Sequence, residues 1–199
     1  GSSAELDRRE FHPMDEGSAV VAAIARAAGD EILDLAAAPG GKAIYMAHQG
    51  ARVIANDVST ARLAPLHRKH IPLVVSDGRQ PPFARKFEVV LLDAPCSATG
   101  TIRKSPELKW RLRESDLAQF AKLQKELLRS AMTVAGNHVI YSTCSLEPEE
   151  NDAVVDGYDR VDIGPFVPEG ARRWVEDGVL RLTPESGADG FTAFALRVG

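Results

Sequence analysis

Short apolar runs alternate with amphipathic stretches along this chain. The runs fall at residues 32–35, 53–55, 73–75, 89–92 and 138–142. The run at 89–92, short and uniformly apolar, suits a strand buried on both faces of a parallel sheet. Between them, residues 14–28, 42–50, 60–69 and 114–133 read as helices. The last of these carries Leu117, Phe120, Leu123, Leu127 and Leu128 on one face. Asp15 or Ser18 suits the start of the first helix, and Gly29 lies just past its end. Pro148, followed by Glu149 and Glu150, marks the opening turn of a further helix. Two strands close the chain, at 179–182 and 191–198; in the second, Phe191, Ala193, Ala195 and Arg197 alternate with Thr192, Phe194, Leu196 and Val198. Strand–helix alternation predicts an α/β fold with a mostly parallel sheet and helices on both faces.

The strand ends carry the chemistry. The run at 89–92 stops at Asp93; Ala94 precedes Pro95 and is pushed out of the helical region, so the chain turns and sets Cys96 just beyond the strand. Asp57, Asp77 and Asp93 follow successive strands. In a parallel sheet such ends converge on the crevice where ligands bind. The loop Ala36-Ala37-Ala38-Pro39-Gly40-Gly41-Lys42 leaves a strand and opens a helix, where glycine admits close backbone approach and the helix start offers free amide donors. It is no P-loop, since positions 36 and 43 are both alanine, and it lacks the Gly-x-Gly-x-x-Gly spacing. Asp57, at the end of the next strand, is placed to grip two ribose hydroxyls. An adenosine-bearing ligand without a phosphate signature points to S-adenosylmethionine.

Composition narrows the class. The 199 residues are 44% hydrophobic and 26% charged, ordinary for one globular domain. No run is long enough to span a membrane. Gly1-Ser2-Ser3 without an initiator Met reads as a cloning scar, and residues 1–10 are assigned to scar and leader. Two cysteines, Cys96 and Cys144, make neither a disulfide framework nor a zinc pattern, so a reducing cytoplasm and no metal are expected. Net charge is −4, against nucleic-acid binding over the whole surface. Yet Arg103, Lys104, Lys109, Arg111 and Arg113 face only Glu107 between positions 101 and 113. A phosphate-binding stripe and a solvated helix face fit that charge equally well. The five histidines are scattered and read as surface or core residues. Trp110, between Leu108 and Leu112, is expected in the core, although its ring suits stacking on a flipped base. Tyr141 reads as a core strand residue.

Four segments together are distinctive: Leu33-Asp-Leu-Ala-Ala-Ala-Pro-Gly-Gly-Lys42, Leu92-Asp-Ala-Pro-Cys-Ser-Ala-Thr-Gly-Thr-Ile-Arg-Lys104, Tyr141-Ser-Thr-Cys-Ser-Leu-Glu-Pro-Glu-Glu-Asn151 and Asp189-Gly-Phe191. They resemble the RNA cytosine-5 methyltransferase family, nearest to bacterial 16S ribosomal RNA enzymes of the Sun/Fmu type. The resemblance implies a Rossmann-like S-adenosylmethionine-dependent methyltransferase fold with a seven-stranded sheet, in one catalytic domain over residues 11–199. It assigns Ala36, Ala37, Ala38, Pro39, Gly40, Gly41, Lys42, Asp57, Asp77 and Asp93 to the cofactor. It makes Cys144 the nucleophile and Cys96 the helper in product release, with Asp93 and Lys42 beside them. Arg103, Lys104 and Lys109 fall to the substrate, an RNA, with the chain acting as a cytoplasmic monomer. Transfer RNA as substrate, or a non-catalytic ribosome-assembly factor keeping the fold, are the alternatives.

Two thiols suit this chemistry. A thiolate adding to carbon 6 of cytosine makes carbon 5 nucleophilic, and a base must later remove the carbon-5 proton. Asp93, if buried and protonated, would donate to ring nitrogen 3 of the adduct. A free thiol has a pKa of about 8.5. A helix start near Pro148 would contribute about 0.3–1 kcal/mol, less than one pKa unit. A nearby cation, the sulfonium or a base must therefore assist ionisation of Cys144.

Overall fold

The computed structural model describes residues 14–199; the leader expected over residues 1–10 lies outside them. Among the described residues nine strands form one sheet: β1 (Glu31–Asp34), β2 (Arg52–Asp57), β3 (Leu73–Val75), β4 (Phe87–Asp93), β5 (Ala135–Thr143), β6 (Arg160–Val161), β7 (Val175–Glu176), β8 (Val179–Leu182) and β9 (Phe191–Arg197). Their order is β3-β2-β1-β4-β5-β9-β8-β7, with β6 paired to β9. Strands β1 to β5 pair in parallel, and the C-terminal strands add antiparallel. The seven expected strands are all present. The sheet exceeds the expected seven because β6 and β7, two residues each, are too short to leave a hydrophobic pattern.

Six α-helices among the described residues accompany the sheet: α1 (Glu16–Ala28), α2 (Gly41–His48), α3 (Thr60–Leu63), α4 (Leu108–Arg111), α5 (Glu114–Val134) and α6 (Asp152–Val155). The Asp15 carboxylate caps α1 by accepting from the Ser18 amide at 2.9 Å. The helix expected over 60–69 is α only to Leu63 and continues as a 3₁₀ turn, because Pro65 has no amide to extend the ladder. The helix expected from Pro148 is instead a turn, with α6 beginning at Asp152.

Alternation along the central strands divides the core. Ile32, Val89 and Leu91 pack with Ile24 of α1 and Ile44 of α2; Leu33, Val90 and Leu92 pack with Leu127 and Leu128 of α5. Strand order reverses at β1, which has β2 on one side and β4 on the other. That is the switch point where loops splay apart and leave a crevice at the carboxyl ends. Among the described residues, no helix is long and apolar enough to cross a membrane.

Candidate active site

Two loops leave the sheet at this switch point. The loop after β1 lines a cavity of about 200 Å³ through Ala36, Ala37, Ala38 and Pro39, continuing into Gly41 and Lys42 of α2. Met14, Asp15 and Ser18 close it from the start of α1, and Asp34 and Asp93 reach it from β1 and β4. Lys42 Nζ lies 2.7 Å from Asp93 and donates to Ser18 Oγ at 3.0 Å. Asp93 also accepts from Ser142 Oγ at 2.8 Å. Burial pulls the Lys42 ammonium down, but the charge and hydrogen bond of Asp93, with Asp34 behind it, outweigh this and hold it above its ordinary value. Both Asp93 oxygens therefore face donors.

Asp34 sits inside an apolar run, so the sequence gives it no separate signal. It is 1% exposed, and neither carboxylate oxygen has a hydrogen-bond partner among the described residues. Burial raises its pKa to about 7, against the pull of Lys42 and with the help of Asp93 and Asp57. A buried, unpartnered carboxylate on a cavity wall is matched by a cationic ligand group.

The other expected cofactor acids, Asp57 and Asp77, do not line this cavity. Asp57 is buried behind the loop, accepting from the Ala38 amide at 3.1 Å and the Ser59 amide at 2.9 Å. Arg62 completes the brace by donating to the Ala38 carbonyl at 3.0 Å. Asp77 is gripped by Arg79, at 2.6 Å, in a separate surface cleft. Gly40 is absent from the cavity wall; its φ of +107° and the packing of Leu66 against its Cα demand glycine there.

Beyond Asp93 the chain turns through Pro95 and presents Cys96. On the adjacent strand, β5 ends and presents Cys144. The register pairs Asp93 with Ser142, so the two turns emerge side by side. The sulfur atoms are 3.2 Å apart, both half-buried and both free. The hydrogen bond with Cys144, together with burial, pushes the Cys96 thiol well above the ordinary range. Either sulfur can be the donor of this contact. Cys96 also opens on an apolar cleft of about 590 Å³ walled by Leu108, Leu112, Phe120 and Leu123.

The basic stripe is divided. Lys104 lies 2.6 Å from buried Asp189, and Arg103 donates to the Gly187 carbonyl at 3.0 Å. Both tie the Cys96 loop to the loop before β9. Lys109 is exposed on α4. Trp110, expected in the core, is 89% exposed: α4 is a single turn with no buried residue.

Comparison with known proteins gives the geometry its context. The model of the 16S rRNA methyltransferase RsmB/F family matches residues 21–194. The chain belongs to that family. Within reach of it are ribosomal RNA small subunit methyltransferase B of Erwinia tasmaniensis, 38% identical over 86% of this chain and 43% of that protein, and its namesake from Sodalis glossinidius, 44% identical over 61% of this chain and 31% of that protein. The chain therefore spans less than half the length of these family members. NSun6 of Pyrococcus horikoshii, solved with SFG, superposes with a TM-score of 0.80 at 30% identity, covering 100% of this chain and 56% of that one. The fold is the Rossmann-like fold of methyltransferases, as the strand order indicates.

Proposed function

We propose that this chain is the catalytic part of an S-adenosylmethionine-dependent methyltransferase acting on carbon 5 of a cytosine in RNA, with 16S ribosomal RNA as the substrate. The observation that carries this reading is the pair of free thiols 3.2 Å apart, delivered by adjacent strands next to the cavity of Asp34, Lys42 and Asp93.

The cavity fits the cofactor by the chemistry of its walls. Asp34 offers an uncompensated carboxylate to an α-ammonium group. The loop from Ala36 to Gly41 offers backbone, and Asp57 with Arg62 keeps that loop in place. When bound, S-adenosylmethionine supplies an electrophilic methyl group. The residues of the chain do the rest. Cys144 adds through sulfur to carbon 6 of the pyrimidine, and the electron pair displaced from the ring double bond makes carbon 5 nucleophilic. With Cys96 as the donor of the sulfur–sulfur hydrogen bond, a thiolate at Cys144 is favoured. Once Cys144 is bonded to carbon 6, the hydrogen bond that most raises the Cys96 thiol is gone, and after methylation a base there, the Cys96 thiolate or a water beside it, takes the carbon-5 proton. The C–H electron pair restores the double bond and expels Cys144. Lys42, held by Asp93, supplies the nearby cation. Cytoplasmic action belongs to the same reading, since reducing surroundings keep so close a thiol pair free.

The test is covalent trapping. Cys96→Ala protein mixed with cytosine-containing small-subunit RNA and S-adenosylmethionine is expected to accumulate a denaturant-resistant protein–RNA adduct. The adduct disappears when Cys144→Ala is added. No adduct, or one that survives without Cys144, overturns the reading.

A further inference from the structure

Glu150 is wholly buried, although it closes an acidic turn with Glu147 and Glu149. Its partners are not cations. One oxygen accepts from the Ser97 amide at 2.9 Å and from Gln124 Nε2 at 2.9 Å. The other accepts from Ser145 Oγ at 2.6 Å and from Ser97 Oγ. Ser97 and Ser145 are the residues that follow Cys96 and Cys144. Gln124, from α5, also donates to the Pro95 carbonyl at 2.9 Å, just ahead of Cys96. One carboxylate thus joins both cysteine turns and the helix packed behind them.

Neighbouring bonds tighten the same knot. The Tyr141 hydroxyl donates to the Glu150 carbonyl at 2.6 Å. Asn151, also wholly buried, donates to the Ser145 carbonyl at 3.0 Å and accepts from Thr143 Oγ1 at 2.7 Å. The Ser97 and Ser145 hydroxyls are themselves within 3.2 Å of each other. A buried carboxylate is tolerated only when its oxygens are filled by donors. Here the four donors come from three separate segments, so satisfying the charge and fixing the segments are one event.

We propose that Glu150 is the positioning residue of the thiol pair: its carboxylate clamps the residue behind each cysteine and so holds Cys96 and Cys144 in contact. Its catalytic meaning rests on the methyltransferase reading above, whereas the contact itself does not. Glutamate suits the role because its two oxygens take two donors each. Glutamine keeps the length but leaves one accepting oxygen, and it turns an amide toward two hydroxyls.

The experiment reads the pair directly in the 199-residue chain, without RNA or cofactor. Initial rates of iodoacetamide alkylation are measured against pH and resolved by mass for each cysteine. In the parent protein Cys96 reacts with a midpoint above that of an ordinary thiol. In Glu150→Gln and in Ser145→Ala that midpoint is expected to fall by about one unit as the sulfur–sulfur hydrogen bond loosens. Ser145→Ala removes one hydroxyl and leaves the carboxylate three donors, so it reports even if Glu150→Gln does not fold. Val53→Ala, a core truncation on β2 away from the clamp, is expected to lower stability without moving the midpoint. Folded clamp variants that keep the parent midpoint, or a Val53→Ala shift equal to theirs, overturn the proposal. Failure of adduct trapping alongside a shifted midpoint would sink the methyltransferase reading and leave the clamp standing.

Discussion

Asp34 carries the clearest pH signature of any single residue. Its carboxyl ionises near pH 7 in the folded chain and near 3.9 when unfolded. Between those values the folded state holds a proton that the unfolded state has released. The stability Asp34 contributes is therefore full below pH 4 and lost as pH rises to about 7, on the order of 4 kcal/mol in all. Thermal unfolding of the parent and of Asp34→Asn, followed from pH 5 to 8, is expected to show the parent losing ground to the variant across that window. A difference that stays constant with pH would mean that Asp34 is already ionised at pH 5. Affinity for S-adenosylmethionine is expected to run the other way in the parent. It rises up to about tenfold per unit toward pH 7 as the carboxylate forms opposite the ammonium, and it flattens in Asp34→Asn.

Among the elements, the loops after β4 and β5 and the loop before β9 meet at two glycines. The Gly100 amide donates to the Cys144 carbonyl, and the Gly190 amide donates to the Gly100 carbonyl, each at 2.9 Å. A Cβ on Gly100 would collide with the Gly190 and Cys144 carbonyl oxygens. Gly100→Ala is therefore expected to cost about 1–3 kcal/mol, a fall of several degrees in Tm, and to cut adduct formation. The cavity proposed for S-adenosylmethionine is not lined by Gly100, and affinity for the cofactor, measured by calorimetry, is expected to be kept. How much of this was legible differs by element. Strands β4 and β5 announced themselves because burial on both faces leaves apolar runs, whereas β3, at the sheet edge and only half-buried, showed by its short apolar run alone. Cys96 and Cys144 could be placed at adjacent strand ends, but their contact depends on the β4–β5 register, which no local pattern states. Glu150 stayed hidden because an acid among acids reads as solvated surface; only the fold places four donors around it. Trp110 misled in the opposite sense: leucines two positions away on either side suggest burial, yet α4 is too short to offer a packed face.

For the molecule as a whole, the proposed function raises the question of how a domain of net charge −4 meets a polyanion. Lys104 and Arg103 are turned toward Asp189, which leaves Lys109, Arg111 and Arg113, all exposed around Trp110, as the cationic face nearest the Cys96 cleft. Three phosphate contacts to single-stranded RNA give a plot of log affinity against log salt with a slope of roughly −2. Arg111→Ala is expected to make that slope shallower by about 0.7. Trp110→Ala should leave the slope unchanged while weakening binding by about 1–3 kcal/mol, because stacking on a base releases no counterion. Fluorescence anisotropy with a short cytosine-containing RNA, titrated at several salt concentrations, separates the two effects. A slope of −4 or steeper would mean that the RNA reaches beyond these three cations, and a Trp110→Ala protein that binds as the parent does would remove the ring from the interface.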